Sequence, residues 1–279
     1  MIEKARAASP TRSKQWEDIC RAFDRVAKEY DGPLGNNAIV QQFRQRLWQT
    51  VELRVPRGSR LLDLGGGTGL DAVHFARLGY HVQVIDQSSH MIEQVRRRAL
   101  QEGVADRVKS QVLGFQDLAA LTGTTFDALY SNLGALNCYE PLAELGAICA
   151  DLLVSGGWLV VSVIGRYCPW EVLAYLLAAQ PRKAAWRLTR RVVPVSLRDE
   201  TIWTRYWTPG AFARELAPRF DVVNYRGLGV FAPPPYLIGL SERLPFLGRH
   251  LFALDDLVGE LPVLRSCGDH FLMVLKRRD

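Results

Sequence analysis

Apolar and polar positions along this 279-residue chain change rhythm several times, and each change marks an element. Between Gln15 and Tyr30 the residues Trp16, Ile19, Phe23, Val26 and Tyr30 recur every three or four positions, which gathers them on one face of a predicted helix. The turn formers of DGPLGN interrupt it. A second helical spacing then runs through Ile39, Phe43, Leu47 and Val51 until Pro56 and Gly58 end it. From Arg60 the rhythm becomes strand, helix, strand: LLDL, a glycine-rich turn, a helix from Leu70 to Leu78, and HVQVID. A helix from Met91 to Glu102, strands at VKSQVL and DALYSN, a helix at PLAELGAICADLL and a strand at WLVVSVI continue it. Such units build a parallel sheet with crossover helices.

After Ile164 the beat stops, and residues 165–206 read as an inserted cap rich in Trp, Arg and Leu. TPGAFARELAPRF resumes a helix, DVVNYRGLGV a strand, and HFLMVLKR supplies the last strand. Between those two strands FAPPPYL opens a second insertion at about 231–268, because consecutive prolines continue neither ladder nor helix. Within it Leu240, Leu244, Leu247, Leu251, Leu254 and Val258 keep a helical spacing, with Pro245 marking a break near its start. The predicted fold class is α/β: a doubly wound, mostly parallel seven-stranded sheet with helices on both faces, an N-terminal helical lid and inserted cap segments. The expected organisation is a disordered tail over 1–14, the lid over 15–58, the core over 59–164, the cap over 165–206 and the end of the core over 207–279.

Composition narrows the class only a little. At 48% hydrophobic and 23% charged residues the chain reads as an ordinary globular protein. No run reaches the roughly 18 apolar residues of a membrane span, and MIEKARAASPTRSK carries no apolar signal core, so a cytoplasmic location is expected. Cys20, Cys138, Cys149, Cys168 and Cys267 have no metal or redox spacing and imply reduced thiols. His74 and His90 lack ligand spacing as well, and no metal is expected. A net charge of +6 would suit an anionic partner without specifying one.

The chemistry concentrates in LLDLGGGTG, Leu61 to Gly69. Glycines after a strand and before a helix let the backbone turn sharply and approach a ligand closely. Gly67, Gly69 and Ala72 also satisfy the dinucleotide pattern, so the turn alone leaves a nicotinamide-dependent oxidoreductase open. Asp86 ends the next strand, 23 positions after Asp63, close to the spacing of about 20 expected for a carboxylate that accepts ribose hydroxyls. Asp63 separates the readings: two positions before the first glycine, a carboxylate would repel a pyrophosphate and attract the ammonium of a methionine moiety.

With Asp63, Gly65, Gly67 and Gly69 the run resembles the first motif of the class I, Rossmann-like S-adenosylmethionine-dependent methyltransferases of the small-molecule type. The resemblance covers roughly Arg60 to Ile164. It implies S-adenosylmethionine as cofactor, with S-adenosylhomocysteine as product, and a cofactor site of Asp63, Gly65, Gly66, Gly67 and Gly69. VIDQSSHMIEQ resembles the second strand and following helix, implying Asp86 on ribose and Gln87 and Met91 near ribose and adenine. LGFQDL resembles the adenine-framing segment. Here the usual acidic residue is replaced by Gly114, so that contact passes to Phe115 or Gln116. FDALYSNLGALN resembles the fourth motif, where Asn132, Leu133 and Gly134 would line the methionine portion.

Around the acceptor the sequence offers alternatives. FDRVAKEYD, with Tyr30, resembles a lid helix of such enzymes and reads equally as a helix packed on the sheet edge. GRYCPWE and WTRYW bring Arg166, Trp170, Arg205 and Tyr206 to the expected pocket mouth, which suits a largely apolar small molecule with room for one negative group. Tyr30, Glu171 and His270 are the candidates for a base if the acceptor needs one, while Asp269 and His270 read first as a structural turn. Lys183, Arg187, Arg190 and Arg191, with Trp186 among them, form either a solvated basic face or a landing surface for an anionic substrate, a carrier protein or a membrane surface. A nucleic-acid methyltransferase would explain the charge, but no RNA-binding appendage or N-P-P-Y-like motif accompanies it.

Overall fold

Buried apolar runs alternating with amphipathic helices close into one seven-stranded sheet in the computed structural model, which describes residues 10–33, 35–237, 239 and 245–279. The strands of its parallel half are β1 (Arg60–Leu64), β2 (His81–Asp86), β3 (Val108–Val112), β4 (Phe126–Ser131) and β5 (Leu153–Ile164). The cap contributes the antiparallel hairpin β6 (Val193–Leu197) and β7 (Glu200–Thr204), and β8 (Phe220–Leu228) and β9 (His270–Arg277) complete the main sheet. Its order is β3-β2-β1-β4-β5-β9-β8, with β9 antiparallel to both neighbours. Order reverses between β1 and β4, so a crevice opens beyond their carboxyl ends. The register sets Asp63 opposite Val84 and Leu64 opposite Ile85 at that edge.

Period-two alternation on the strands splits the core into two layers. Leu62, Leu64, Leu129 and Val161 face α5 (Leu142–Leu152) and α8 (Pro209–Leu216). Leu61, Val82, Val84 and Val160 face α2 (Ala38–Glu52), α3 (Leu70–Arg77) and α4 (Ser89–Gln101). Burying each such leucine or valine is worth about 1.5–3 kcal/mol before entropy is counted. The helices start where capping chemistry allows: Asn37 accepts from Ile39 and Val40 N–H for α2, and Ser88 from Met91 N–H for α4.

Several expected boundaries move. Helix α1 spans Arg12–Val26, so it begins inside the expected tail, capped by the Thr11 hydroxyl, and Tyr30 sits in the turn beyond its end. The remaining tail residues, 1–9, lie outside the described residues, as do Leu240 and Leu244. In the second insertion Pro245, expected to mark a break, is helical, as part of α9 (Pro245–Val258). The cap holds α6 (Pro169–Leu177) and the single turn α7 (Pro181–Ala184) before its hairpin. Among the described residues no helix is long and apolar enough to cross a membrane.

Candidate cofactor and acceptor site

The glycine turn after β1 is shaped before any ligand arrives. Gly65 has φ +72°, and a Cβ there would meet the Ala135 Cβ at 2.7 Å, so only glycine fits. Its N–H groups are already engaged. Gly65 and Gly66 donate to the Ile85 carbonyl at 3.0 and 3.1 Å, Gly69 donates to Gly66 O at 3.1 Å, and Gly67 donates to Asp86 Oδ2 at 3.0 Å. No glycine N–H of the turn is left to receive a phosphate, which disfavours a dinucleotide.

Asp86 closes β2 at this edge. Ser88 N–H donates to its Oδ1 at 2.9 Å and Gly67 N–H to its Oδ2, which leaves each oxygen lone pairs for two neighbouring hydroxyls. Burial raises its pKa to about 6, against the two N–H groups that favour the charge. Gly65, Gly67 and Asp86 line one cleft with Gln87, Met91 and Leu113. Phe115 and Gln116 continue that wall, and Asn132 and Leu133 line the side nearer β4. The cleft is open to solvent on one side, with about 1040 Å³ of empty space when that open side is included. A paired acceptor for ribose, an apolar slot at Met91 and Phe115, and a bare turn fit an adenosyl amino acid.

Three residues of the expected cofactor set do not line the cleft. Gly66 packs over Val84 and the Asp63 carboxylate, and Gly69 caps α3. Asp63 is buried under the turn, where its Oδ2 accepts from the Tyr130 hydroxyl at 2.9 Å. Burial, with the Asp71 carboxylate near it, pushes its pKa well above the usual carboxylate range. Asp71, which the sequence reading passed over, is the better solvated by the protein. It receives the Arg44 guanidinium and the Trp48 indole N–H, each at 2.7 Å, and the Asn132 amide at 3.2 Å. Through Asn132 this buried network reaches the cleft wall, where Leu133 takes a left-handed φ of 52°.

The opposite wall is apolar and comes from distant parts of the chain. Trp16, Ile19 and Phe23 of α1 line it together with Leu197 and Ile202 of the hairpin, on which α1 packs, and with Cys138 and Tyr139. Trp16 stacks on Tyr139 at 5.9 Å. Tyr30 lies over the glycine turn, its ring 3.8 Å from where a Gly67 Cβ would be. Helix α1 is fastened on two sides. Toward the core the Ser88 hydroxyl donates to Asp24 at 2.6 Å, and just beyond the helix Thr68 and Arg98 hold Asp31. Toward the hairpin Arg21 and Arg25 pair with Glu200, and the Trp203 indole donates to Asp18 at 3.1 Å.

Comparison with known proteins agrees with this geometry. The model of a family described as a methyltransferase domain matches residues 61–157. A ubiquinone biosynthesis O-methyltransferase of Xylella fastidiosa (strain 9a5c) is 36% identical over 173 residues, 56% of this chain and 68% of that protein. The chain belongs to the S-adenosylmethionine-dependent methyltransferases. Of another relative with the same name, from Xanthomonas axonopodis pv. citri, it spans 45%, at 37% identity over 40% of this chain. Solved structures share the fold at low identity. The [4+2]-cyclase SpnF aligns with TM-score 0.63 and 17% identity over 98% of each chain. A 1,6-didemethyltoxoflavin-N1-methyltransferase of Burkholderia thailandensis, solved with bound S-adenosylhomocysteine, aligns with TM-score 0.60 and 16% identity over 98% of this chain and 93% of that one.

In this methyltransferase the remaining residues singled out from sequence gather elsewhere. Glu171 does not face the cleft: its carboxylate is ion-paired with Arg187 at 2.7 Å and accepts from Tyr236 at 3.1 Å. His270 is likewise committed, its Nδ1 2.9 Å from Asp269, whose other oxygen holds Arg187 at 2.7 Å. Arg187 therefore leaves the expected basic face. Two acids bury it, whereas Lys183, Arg190 and Arg191 stay exposed. The four expected at the pocket mouth turn away from it as well. Arg166 donates to Tyr206 O at 3.0 Å, and Trp170 to Phe231 O at 2.8 Å. Arg205 pairs with Glu140 over the Trp207 ring, and Tyr206 packs under Arg187. Of the proposed bases only Tyr30 lines the cleft, and burial raises its pKa.

Proposed function

We propose that the chain transfers the methyl group of S-adenosylmethionine to a small, largely apolar acceptor held in the cleft against α1 and the β6–β7 hairpin. The observation that carries the reading is Asp86 beside a glycine turn whose N–H groups are spent, with an aromatic and aliphatic wall facing it. Asp86 holds the ribose hydroxyls, Met91 and Phe115 flank the base, and Asn132 and Leu133 border the methionine side. When bound, the sulfonium supplies an electrophilic methyl group. The chain's own part is to align the acceptor in line with it and to keep water away, through Trp16, Ile19, Phe23, Leu197 and Ile202. Tyr30 is a hydrogen-bond donor at neutral pH, since its raised pKa keeps the hydroxyl protonated. Arg166 and Arg205 are bound elsewhere, so neither would pair with a negative group on the acceptor.

The test is formation of S-adenosylhomocysteine from S-adenosylmethionine across a panel of apolar phenols, thiols and amines, beside calorimetric binding of S-adenosylhomocysteine. Binding together with turnover of at least one acceptor, both lost in Asp86→Ala, is expected. No binding of the nucleoside, or binding of NADH in its place, would overturn the reading.

A further inference from the structure

The cap carries a run of exposed apolar side chains. On α6, Leu173, Leu176 and Leu177 fall at spacings of three and one, which sets them on one side of the helix, and all three are exposed, Leu177 at 79%. Trp186 and Leu188, just beyond α7, add two half-exposed apolar side chains. Scattered single apolar side chains on a surface need no explanation, but five in sixteen consecutive residues do.

Charge identifies what covers them. Arg182, Lys183, Arg190 and Arg191 are exposed in the same stretch, and Lys183 lies 5.9 Å from the ring centre of Tyr175 on α6. From Val172 to Arg198 the sequence contains no Asp or Glu, and Glu171 is turned inward onto Arg187. Leucines and a tryptophan interleaved with basic residues complement an anionic lipid surface: the apolar side chains enter the headgroup boundary while the cations pair with lipid phosphates. An acidic carrier protein would use the cations and leave the leucines in water.

We propose that α6 and the segment following it dock this methyltransferase onto an anionic bilayer. Helix α6 springs from the carboxyl end of β5, the end whose Ile164 lines the cleft, and the segment runs on into the hairpin that forms the opposite wall. The docked face thus adjoins the acceptor half, and a lipophilic acceptor reaches it from the membrane. That last step rests on the methyl-transfer reading; the docking does not.

Flotation of the full chain with vesicles separates the outcomes. The probes are phosphatidylcholine vesicles with and without about a third phosphatidylglycerol, at low salt and at about 0.5 M sodium chloride. Binding is expected only with phosphatidylglycerol, weakening with salt. It should fall at least about tenfold in the double variant Leu176→Glu, Leu177→Glu and again in Lys183→Glu, Arg190→Glu. Both variants alter exposed side chains and should keep the parent melting temperature and its affinity for S-adenosylhomocysteine. Absence of vesicle binding overturns the proposal, as does binding that survives the leucine variant, or self-association that the leucine variant abolishes while vesicle binding is unchanged. Loss of S-adenosylhomocysteine binding in the parent chain would instead count against the methyl-transfer reading and leave the docking standing.

Discussion

The two walls of the cleft are built on opposite principles. Beside the glycine turn, recognition rests on backbone and on one carboxylate: Gly65, Gly67 and Asp86 come from consecutive strand ends and are fixed by hydrogen bonds within the sheet. The facing wall is made of Trp16, Ile19, Phe23, Leu197 and Ile202, side chains supplied by α1 and the cap hairpin, two segments far apart in sequence that pack side by side. The first wall is set by local geometry that any fold of this type must satisfy. The second can change residue by residue without disturbing the sheet, which is where acceptor choice can vary.

Variants can sharpen or break that division, and the largest effect should come from the brace behind the cap. Arg187→Ala leaves Glu171 and Asp269 buried without their cation and should cost about 3–5 kcal/mol of stability, read as a fall in the urea midpoint. If the midpoint holds, the cap is not a cooperative part of the fold. Asp86→Ala should weaken S-adenosylhomocysteine about 100-fold by calorimetry, the cost of charged hydrogen bonds to two hydroxyls, with the fold retained. A change smaller than about threefold would remove Asp86 from the ribose site. Affinity should also depend on pH. The folded, ligand-free protein holds the Asp86 pKa at about 6, and binding requires the carboxylate, so affinity is constant above that pH and falls up to about tenfold per unit below it. A flat profile from pH 7 to 5 would contradict the assignment. The smallest effect belongs to the other wall: Ile202→Ala should raise the acceptor KM by about threefold to tenfold while leaving S-adenosylhomocysteine affinity unchanged. A parallel loss of cofactor affinity would show that the two walls are not separable.

The same division explains what could be read from the sequence. Strand ends carrying Asp63 and Asp86 around a glycine run are local signals at fixed offsets, so nine of the twelve residues expected around the cofactor do line the cleft. Asp63, expected at the cofactor, is buried under the turn instead, and sequence does not reveal that Tyr130 on the neighbouring strand would donate to its oxygen. Asp71 was invisible as a site-supporting group, since its partners Arg44 and Trp48 lie a helix away. The acceptor side depended on long-range packing. Helical spacing revealed the apolar face of α1, and resemblance alone suggested it as a lid over the site, while no pattern announced the hairpin that supplies Leu197 and Ile202. Arg187 looked like part of a solvated basic stripe because the two acids that enclose it come from separate segments.

Helix α1 is stitched along two seams of unequal character. Its seam with the core includes the Ser88 hydroxyl on Asp24, which is part-buried, and its seam with the hairpin is made largely of exposed arginines on Glu200. Dissolved ions screen the outer seam far more than the inner one. Raising the ionic strength should therefore loosen the hold of α1 on the hairpin before its hold on the core.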